Sequence, residues 1–422
     1  MRILLAINEK RECRINNEMN LKTIIRLLKT SPWLAPLLAG INLFLWAVDR
    51  LAVWTSGRPA NLPNRLLIIR VDVLGDYLLF RNYLRLVRSS ARYRNDHITL
   101  CASTAIQPIA EVFDHDVVDE FIWVDIYKLS TQPVYRFRFV QDLRRRRFST
   151  AFCPTYSRVL VLDDFLVRAT GAATRIGCAT DYVNLKRWES WLGDRLYTRL
   201  IDSGSGIVFE MERNRRIMEG FLGEPVPALP PTLDSKRISP VSVPDQYIIL
   251  SLGAGQDFRI WPTAQFAQTA RHLLQQYPDH ILVLTGAPNE KPYAEALRAV
   301  LANPPHLLDL TGKLSLAELI YVVRQASLLI ANETGIVHIA ASTGTPTLVI
   351  SQGKTLVRWH PYAPELAAHI RHVYPEYLEQ RRGQFADIAP DFNPESPLSI
   401  TDVSAERVIA LIDSYIRKPN RS

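Results

Sequence analysis

A carboxylate that follows the first apolar run is placed for acid–base chemistry. Residues 66–71 form a mostly apolar run typical of a strand, and Asp72, Gly75 and Asp76 come directly after it. A carboxylate at the carboxyl end of a strand is well placed to act as a general base. The alternative is that Asp76 caps the following helix-like stretch, residues 77–90, or stabilises its first turn through the helix dipole. Both interpretations stay open on these residues alone.

A second set of residues has the chemistry of a diphosphate site. Gly253 and Gly255 follow an apolar run, and Arg259 and Trp261 precede a proline that suits the first turn of a helix. Backbone N–H groups and a guanidinium in such a loop can bind phosphate oxygens. The glycines do not complete a dinucleotide fingerprint, because Phe258 stands at the third glycine position. A tight turn with a surface arginine is the alternative.

A third segment lies between an apolar strand and a helix of small residues. Thr334 can cap that helix, Gly335 lets a phosphate approach the backbone, and His338 would point toward the same ligand one turn later. Taken singly, Thr334 is equally explained as a structural cap and His338 as a core histidine. Together with Arg259 they favour a diphosphate site.

The composition predicts neither a metal site nor a cofactor. The four cysteines are far apart in the sequence, without a C-x-x-C pair. Asp163 and Asp164 are adjacent acids of a kind that is usually solvated. A net charge of +8 favours anionic partners, which could be nucleic acid, a phosphorylated glycolipid or a membrane surface, and charge alone does not choose among them. Of these three we expect no nucleic acid.

The elements that position these residues alternate between strands and helices, which predicts parallel sheets covered on both faces. Prolines accumulate between residues 222 and 244 and indicate a linker. We predict an N-terminal helical extension, a Rossmann-like acceptor domain, a Rossmann-like nucleotide-sugar domain and a C-terminal helix. Their bounds are residues 1–60, 65–225, 245–400 and 401–422.

The extension contains a candidate membrane contact. Residues 30–48 are uncharged and mostly apolar, and Lys22, Arg26 and Lys29 precede them. Three alternatives stay open: a segment that lies in or re-enters the bilayer surface, a true span, and a helix that packs on the protein itself.

Five motifs follow one another along the chain. They are Arg70-x-Asp72-x-x-Gly75-Asp76, Gly171-Ala172-x-x-Arg175-Ile176-Gly177, Gly253-Ala254 with Arg259-x-Trp261-Pro262, Leu310-Thr311-Gly312-Lys313-x-Ser315-Leu316, and Asn332-x-Thr334-Gly335-x-x-His338-x-Ala340-Ala341. In this order they resemble the ADP-heptose:lipopolysaccharide heptosyltransferases, glycosyltransferase family 9. The resemblance covers about residues 66–357.

This resemblance implies a GT-B fold, in which two Rossmann-like domains face each other across a cleft, and an inverting transfer that needs no metal. Asp76 would be the base, and Arg259 stands where the family usually has lysine. Thr334, Gly335 and His338 would hold the nucleotide diphosphate. The predicted nucleotide-sugar site is completed by Gly253, Gly255, Trp261, Thr311 and Glu333. Glu333 replaces the family's usual aspartate, a difference that bears on the identity of the donor sugar.

The predicted activity is transfer of heptose from ADP-heptose to a lipopolysaccharide core or related anionic glycolipid. We expect a cytoplasmic protein, peripheral on the inner membrane. Two alternatives stay open. A nucleotide-sugar epimerase would transform the free donor without an acceptor, and a non-catalytic polysaccharide-assembly protein would keep the fold without turnover.

Overall fold

Two parallel six-stranded sheets form the framework of the protein. The computed structural model describes residues 35–57 and 60–416. The central strands are buried on both faces; Leu66 to Ile69, for example, have no exposed surface. The prediction of two α/β units with parallel sheets is confirmed.

The first half of the chain contributes nine helices and six strands within the described residues. These are α1 (Ala35–Thr55), β1 (Arg65–Arg70), α2 (Leu74–Phe80), α3 (Asn82–Ser89), β2 (His97–Ser103), α4 (Gln107–Phe113), β3 (Glu120–Val124), α5 (Ile126–Thr131), α6 (Pro133–Arg145), β4 (Thr150–Phe152), α7 (Phe165–Ala169), β5 (Thr174–Cys178), α8 (Arg187–Asp194), β6 (Arg199–Ile201) and α9 (Glu210–Leu222). A single π-helical turn, Leu160–Asp164, precedes α7.

The second half repeats the alternation after an irregular segment that carries the prolines. Its elements are β7 (Tyr247–Ser251), α10 (Thr263–Gln276), β8 (Ile281–Thr285), α11 (Lys291–Val300), β9 (Leu307–Asp309), α12 (Leu316–Gln325), β10 (Leu328–Asn332), α13 (Gly335–Thr343), β11 (Thr347–Ile350), α14 (Pro364–Ala367), β12 (Ile370–Val373), α15 (Glu376–Glu379), α16 (Phe385–Ile388) and α17 (Ala405–Tyr415).

Both sheets have the same strand order. The first runs β3-β2-β1-β4-β5-β6, and the second, read from its other edge, runs β9-β8-β7-β10-β11-β12. In sheets of this kind ligands bind beyond the carboxyl ends of the strands, where the strand order reverses. Those two points lie between β1 and β4 and between β7 and β10. Asp76 follows β1, the Gly253 loop follows β7, and Thr334 follows β10.

Some elements differ from the prediction. The helix expected over residues 77–90 is two helices that meet at Arg81, whose buried guanidinium binds Asp114 at 2.7 Å. The last helix, α17, packs on α10 and so covers the second sheet.

The helix α1 packs on the first half through one face. Leu45, Asp49 and Ala52 are buried, and Asp49 forms an ion pair with the fully buried Arg136 at 2.6 Å. No helix within the described residues is long and apolar enough to cross a membrane. The first five residues of the predicted membrane contact, 30–34, lie outside the described residues.

Candidate active site

Asp76 lies in the first turn of α2, just beyond the carboxyl end of β1. The helix begins at Leu74 with Val73 at the N-cap, so Asp76 does not cap it. Within the described residues its carboxylate makes no hydrogen bond or ion pair. Burial and the neighbouring Asp72 raise the pKa of Asp76 to about 8, while Arg70 opposes the rise. A carboxyl group with this pKa can accept a proton near neutral pH.

A buried arginine fixes the backbone around Asp76. The side chain of Arg70 is 2% exposed, and its Nε atom lies 2.8 Å from the carboxylate of Asp72. The same guanidinium donates to the carbonyl oxygens of Pro154, at 3.1 Å, and of Asp76, at 3.3 Å. Arg70 therefore joins the loops that follow β1 and β4, at the switch point of the first sheet.

The prediction that Asp163 and Asp164 are solvated is wrong. Both side chains are buried in the π-helical turn. Asp164 accepts from Arg158 at 2.6 Å and from Tyr197 at 2.7 Å. Asp163 accepts from the backbone of Val159 at 2.6 Å, and burial raises its pKa to about 8. Val159 and Arg158 are close in the sequence and Tyr197 is 33 residues away, so the two acids hold the turn in place and tie it to the segment after α8.

At the second switch point, the N-terminus of α13 has no side-chain cap. Thr334 is the N-cap residue and Gly335 the first helical residue, but the Thr334 side chain makes no capping hydrogen bond. The structure thus does not support the alternative that the hydroxyl serves as a cap. The helix presents backbone N–H groups and the positive end of its dipole at a point where phosphate oxygens can be bound.

His338 connects the two halves of the chain. Its Nδ1 atom shares a 2.6 Å hydrogen bond with the hydroxyl of Tyr362, which fixes the ring. A Cβ atom added to Gly75 would lie 2.6 Å from Cδ2 of His338, so glycine is needed at this contact. Burial lowers the pKa of His338 to about 4, and the ring is therefore neutral at neutral pH. His338 is a residue of the domain junction and not of either core.

Glu333 and Arg259 lie beside the N-terminus of α13. The Oε2 atom of Glu333 accepts from the hydroxyl of Ser351 and lies 3.0 Å from Nε2 of the buried His360. Its other oxygen is 4.0 Å from the guanidinium of Arg259. The carboxylate is thus held by its own domain, and the guanidinium of Arg259 retains donors for an anionic ligand.

A further carboxylate, Glu290, was missed by the sequence analysis. A Cβ atom on Gly253 would lie 2.0 Å from the Glu290 carboxyl group, and one on Gly286 would lie 2.6 Å from it. Thr311 is buried beside Gly286, and its hydroxyl has no hydrogen-bond partner. The sequence does contain a signal for Glu290: it lies five residues past the end of β8, and an acid at that end of a strand can bind hydroxyl groups of a ligand. Gly255, another residue of the predicted site, faces open space, because a Cβ atom added there would meet no atom within 4 Å.

The side chain of Trp261, a residue of the predicted nucleotide-sugar site, is buried in the core. The indole is 1% exposed and donates to the carbonyl oxygen of Val403 at 2.7 Å. The backbone N–H of Trp261 donates to the side chain of Asn332 at 3.1 Å, and that amide also donates to Leu252 at 2.8 Å. Trp261 packs in the core and positions the loop that carries Arg259.

Arg358 reaches from the second half of the chain to the first. Its guanidinium donates to Ser157 at 2.6 Å and to Asp181 at 3.1 Å, and it lies 3.6 Å from Glu210. Arg358 also lowers the pKa of Asp76 in part. Arg358 was not predicted, because its partners lie more than a hundred positions away in the sequence.

Comparison with known proteins decides the family. The family model described as glycosyltransferase family 9 (heptosyltransferase) matches residues 164–386. The chain belongs to glycosyltransferase family 9. This family 9 protein is 28% identical over 160 residues to lipooligosaccharide heptosyltransferase 2 of Haemophilus influenzae, a match that covers 37% of the chain and 43% of that relative's length.

Two solved structures show the same fold. The family 9 glycosyltransferase of Veillonella parvula superposes with a TM-score of 0.64 at 17% identity, covering 84% of this chain and 97% of that one. The E. coli heptosyltransferase WaaC with ADP superposes with a TM-score of 0.62 at 16% identity, covering 83% and 99%. The predicted GT-B fold is confirmed. In the described residues no group of three or more His, Cys, Asp and Glu side chains is arranged to hold a metal ion.

Proposed function

We propose that this family 9 protein transfers a sugar from a nucleotide diphosphate donor to a hydroxyl group of an anionic glycolipid, with inversion at the anomeric carbon. One observation carries the proposal. The residue before Asp76 touches His338 across the junction of the two halves, so an unpaired carboxylate of raised pKa lies next to an open helix N-terminus. A base and an anion site in contact are what glycosyl transfer from such a donor requires.

In the proposed reaction Asp76 removes the proton of the acceptor hydroxyl while that oxygen forms a bond to the anomeric carbon. The bond between this carbon and the β-phosphate oxygen breaks, and the nucleoside diphosphate leaves with the electron pair. The N-terminus of α13 and the guanidinium of Arg259 stabilise the negative charge that develops on the leaving group. The neutral ring of His338 can donate a hydrogen bond but adds no charge.

We propose ADP-heptose as the donor. Support comes from the family and from the E. coli WaaC structures, which were solved with ADP and with ADP-2-deoxy-2-fluoro heptose. In this proposal Glu290 accepts hydrogen bonds from ribose hydroxyls, and Glu333 accepts them from the sugar. Glu333 has one methylene group more than the aspartate that is usual in the family. In this proposal the methylene shifts the position at which the carboxylate meets the sugar, and Ser351 and His360 keep the carboxylate fixed there.

The proposed acceptor is a lipopolysaccharide core or a related anionic glycolipid, and the proposed location is the cytoplasmic face of the inner membrane. The net charge of +8 supports an anionic partner. The donor assignment is tested by a thermal-shift screen of ADP-heptose against UDP-, GDP- and CMP-sugars. We expect a stabilising shift with ADP-heptose that exceeds the shifts of the other three, because ligand binding to the native state raises the melting temperature.

Transfer itself is tested by release of ADP from ADP-heptose, with and without a delipidated core oligosaccharide. We expect release that depends on the acceptor and is unchanged by EDTA, because protein groups neutralise the diphosphate. Activity that EDTA abolishes and Mg²⁺ restores would show that a metal ion takes this role. Conversion of the donor without acceptor would replace the proposal by an epimerase.

A further inference from the structure

One face of α1 is apolar and exposed. Six large apolar side chains of this helix are between 43% and 78% exposed: Leu37, Leu43, Phe44, Trp46, Leu51 and Trp54. Single exposed apolar residues are common on protein surfaces, but a contiguous group marks an interaction site. The opposite face of α1 is buried against α6 and the π-helical turn. The helix is thus fixed to the protein and still offers an apolar surface.

A second helix extends this surface. Trp188 and Trp191 on α8 are 50% and 61% exposed, and their spacing of three residues places them on one face of the helix. The side chain of Asn42 on α1 lies 3.5 Å from that of Glu189 on α8, and both helices pack on the π-helical turn. We call the exposed face of α1 together with Trp188 and Trp191 the apolar platform.

The accessible charges around the apolar platform are basic. Arg50, Lys186, Arg187 and Arg195 are exposed. The acids of the same two helices are withdrawn from solvent or paired: Asp49 binds Arg136, Glu189 is buried, and Asp194 binds Arg158. Arg195 lies over the ring of Trp191, 3.4 Å from its centroid. Tryptophan rings interleaved with basic side chains are typical of surfaces that sit among lipid headgroups.

We infer that the apolar platform binds the surface of an anionic lipid bilayer, with α1 and α8 lying in the plane of the headgroups. A helix that crossed the bilayer would have to release the buried ion pair between Asp49 and Arg136, which is costly. An in-plane arrangement keeps that pair and immerses only the exposed face. The basic side chains then meet anionic headgroups at the edge of the platform.

The position of the platform relative to the active site gives it a function. Lys186 begins the capped turn of α8, and five residues earlier Asp181 pairs with Arg358 at the junction next to Asp76. The exposed residues Tyr182 and Val183 lie between these two points. A bilayer on the platform would bring a lipid-anchored hydroxyl to the base side of the junction. This consequence for the acceptor rests on the proposed function; the lipid contact itself does not.

The test is flotation of the full-length protein with vesicles of phosphatidylethanolamine and phosphatidylglycerol in a 3:1 ratio, compared with vesicles of phosphatidylcholine alone. We expect flotation with the anionic vesicles that weakens with added salt. In the double variant Trp188→Ser/Trp191→Ser the partition coefficient should fall about tenfold, because each serine removes an aromatic ring from the lipid contact.

The matched control is Tyr377→Ser. Tyr377 is 43% exposed and carries Arg381 over its ring, 4.0 Å from the centroid, as Trp191 carries Arg195, but it lies in the second half of the chain. We expect this variant to float like the unchanged protein. The melting temperature, measured without vesicles or ligand, shows whether each variant is folded.

Flotation of the tryptophan double variant at the level of the unchanged protein would overturn the inference, as would failure of the unchanged protein to float. A dimer in solution that the double variant dissociates would assign the platform to a second copy and also overturn it. Turnover with a delipidated acceptor is measured separately without vesicles. Loss of lipid binding and loss of glycosyl transfer are therefore distinguishable.

Discussion

The two sheets have one strand order but present different chemistry at their switch points. The first presents the carboxylates of Asp72 and Asp76; the buried Arg70 pairs with the carboxylate of Asp72 and binds the backbone carbonyl of Asp76. The second presents a helix N-terminus, the guanidinium of Arg259 and a neutral histidine, His338. The fold fixes where ligands bind, and the loops decide what is done to them. In the proposed reaction the first switch point takes the proton and the second holds the leaving anion.

Replacing the base should give the largest effect. Asp76→Asn removes the proton acceptor and keeps the shape, so kcat should fall by about 10²- to 10⁴-fold while the affinity for ADP stays within a few-fold. Steady-state kinetics and a thermal-shift titration with ADP measure the two quantities.

The control for Asp76 is Glu318→Gln. Glu318 is the third residue of α12, as Asp76 is the third residue of α2, so both experience the same helix dipole. This variant should keep full activity. Wild-type turnover by Asp76→Asn would show that Asp76 only stabilises its helix.

Disturbing the contact between the two switch points, where Gly75 meets His338, should give the next largest effect. In Gly75→Ala the new Cβ atom would lie 2.6 Å from the His338 ring, so the ring or the junction must move. Displacing catalytic groups by about 1 Å costs about 10²-fold in rate, and we expect a loss of kcat of that size. Gly383→Ala, where the added atom meets nothing within 4 Å, should leave kcat unchanged. Full activity of Gly75→Ala would mean that the junction between Gly75 and His338 is not needed.

Weakening the anion site alone should give a smaller effect. Arg259→Ala removes a charged donor and should weaken ADP binding by about tenfold, as expected for one charge-assisted hydrogen bond. Calorimetric titration with ADP measures the change. Arg298→Ala removes a similarly exposed arginine with one ion pair, to Asp309 at 3.6 Å, and should bind ADP normally. Equal affinities in the two variants would remove Arg259 from the proposed diphosphate site.

Much of this comparison was predictable from the sequence. Long strands such as β1 and β7 stand out as apolar runs that are followed, two residues later, by an acid or a glycine, and the carboxyl ends of parallel strands must meet at one edge. Five strands were not predicted: β4, β6 and β9 have only three residues, and β5 and β12 are short and interrupted by polar or charged side chains. The alternation of strands and helices therefore followed from the sequence, while the complete sheets did not.

The site features that the sequence did not indicate depend on contacts between distant segments. Arg358 is defined by Ser157 and Asp181, and Glu290 by the close approach of Gly253. Trp261 is next to a binding loop in the sequence, yet its side chain points into the core, because Val403 offers the indole a hydrogen bond. The position of Trp261 in the sequence predicts that it belongs to the loop, but it does not predict the direction of the side chain.

The central claim is that Asp76, at the switch point of the first sheet, is the base. The pH dependence of kcat/KM tests it most directly. Burial raises the pKa of Asp76 to about 8, and a protonated carboxyl group cannot accept the acceptor's proton. We therefore predict that kcat/KM rises about tenfold per pH unit on the acid side, levels off above about pH 8, and loses this limb in Asp76→Asn. A flat profile across this range, or the same limb in Asp76→Asn, would contradict the assignment of Asp76 as the base.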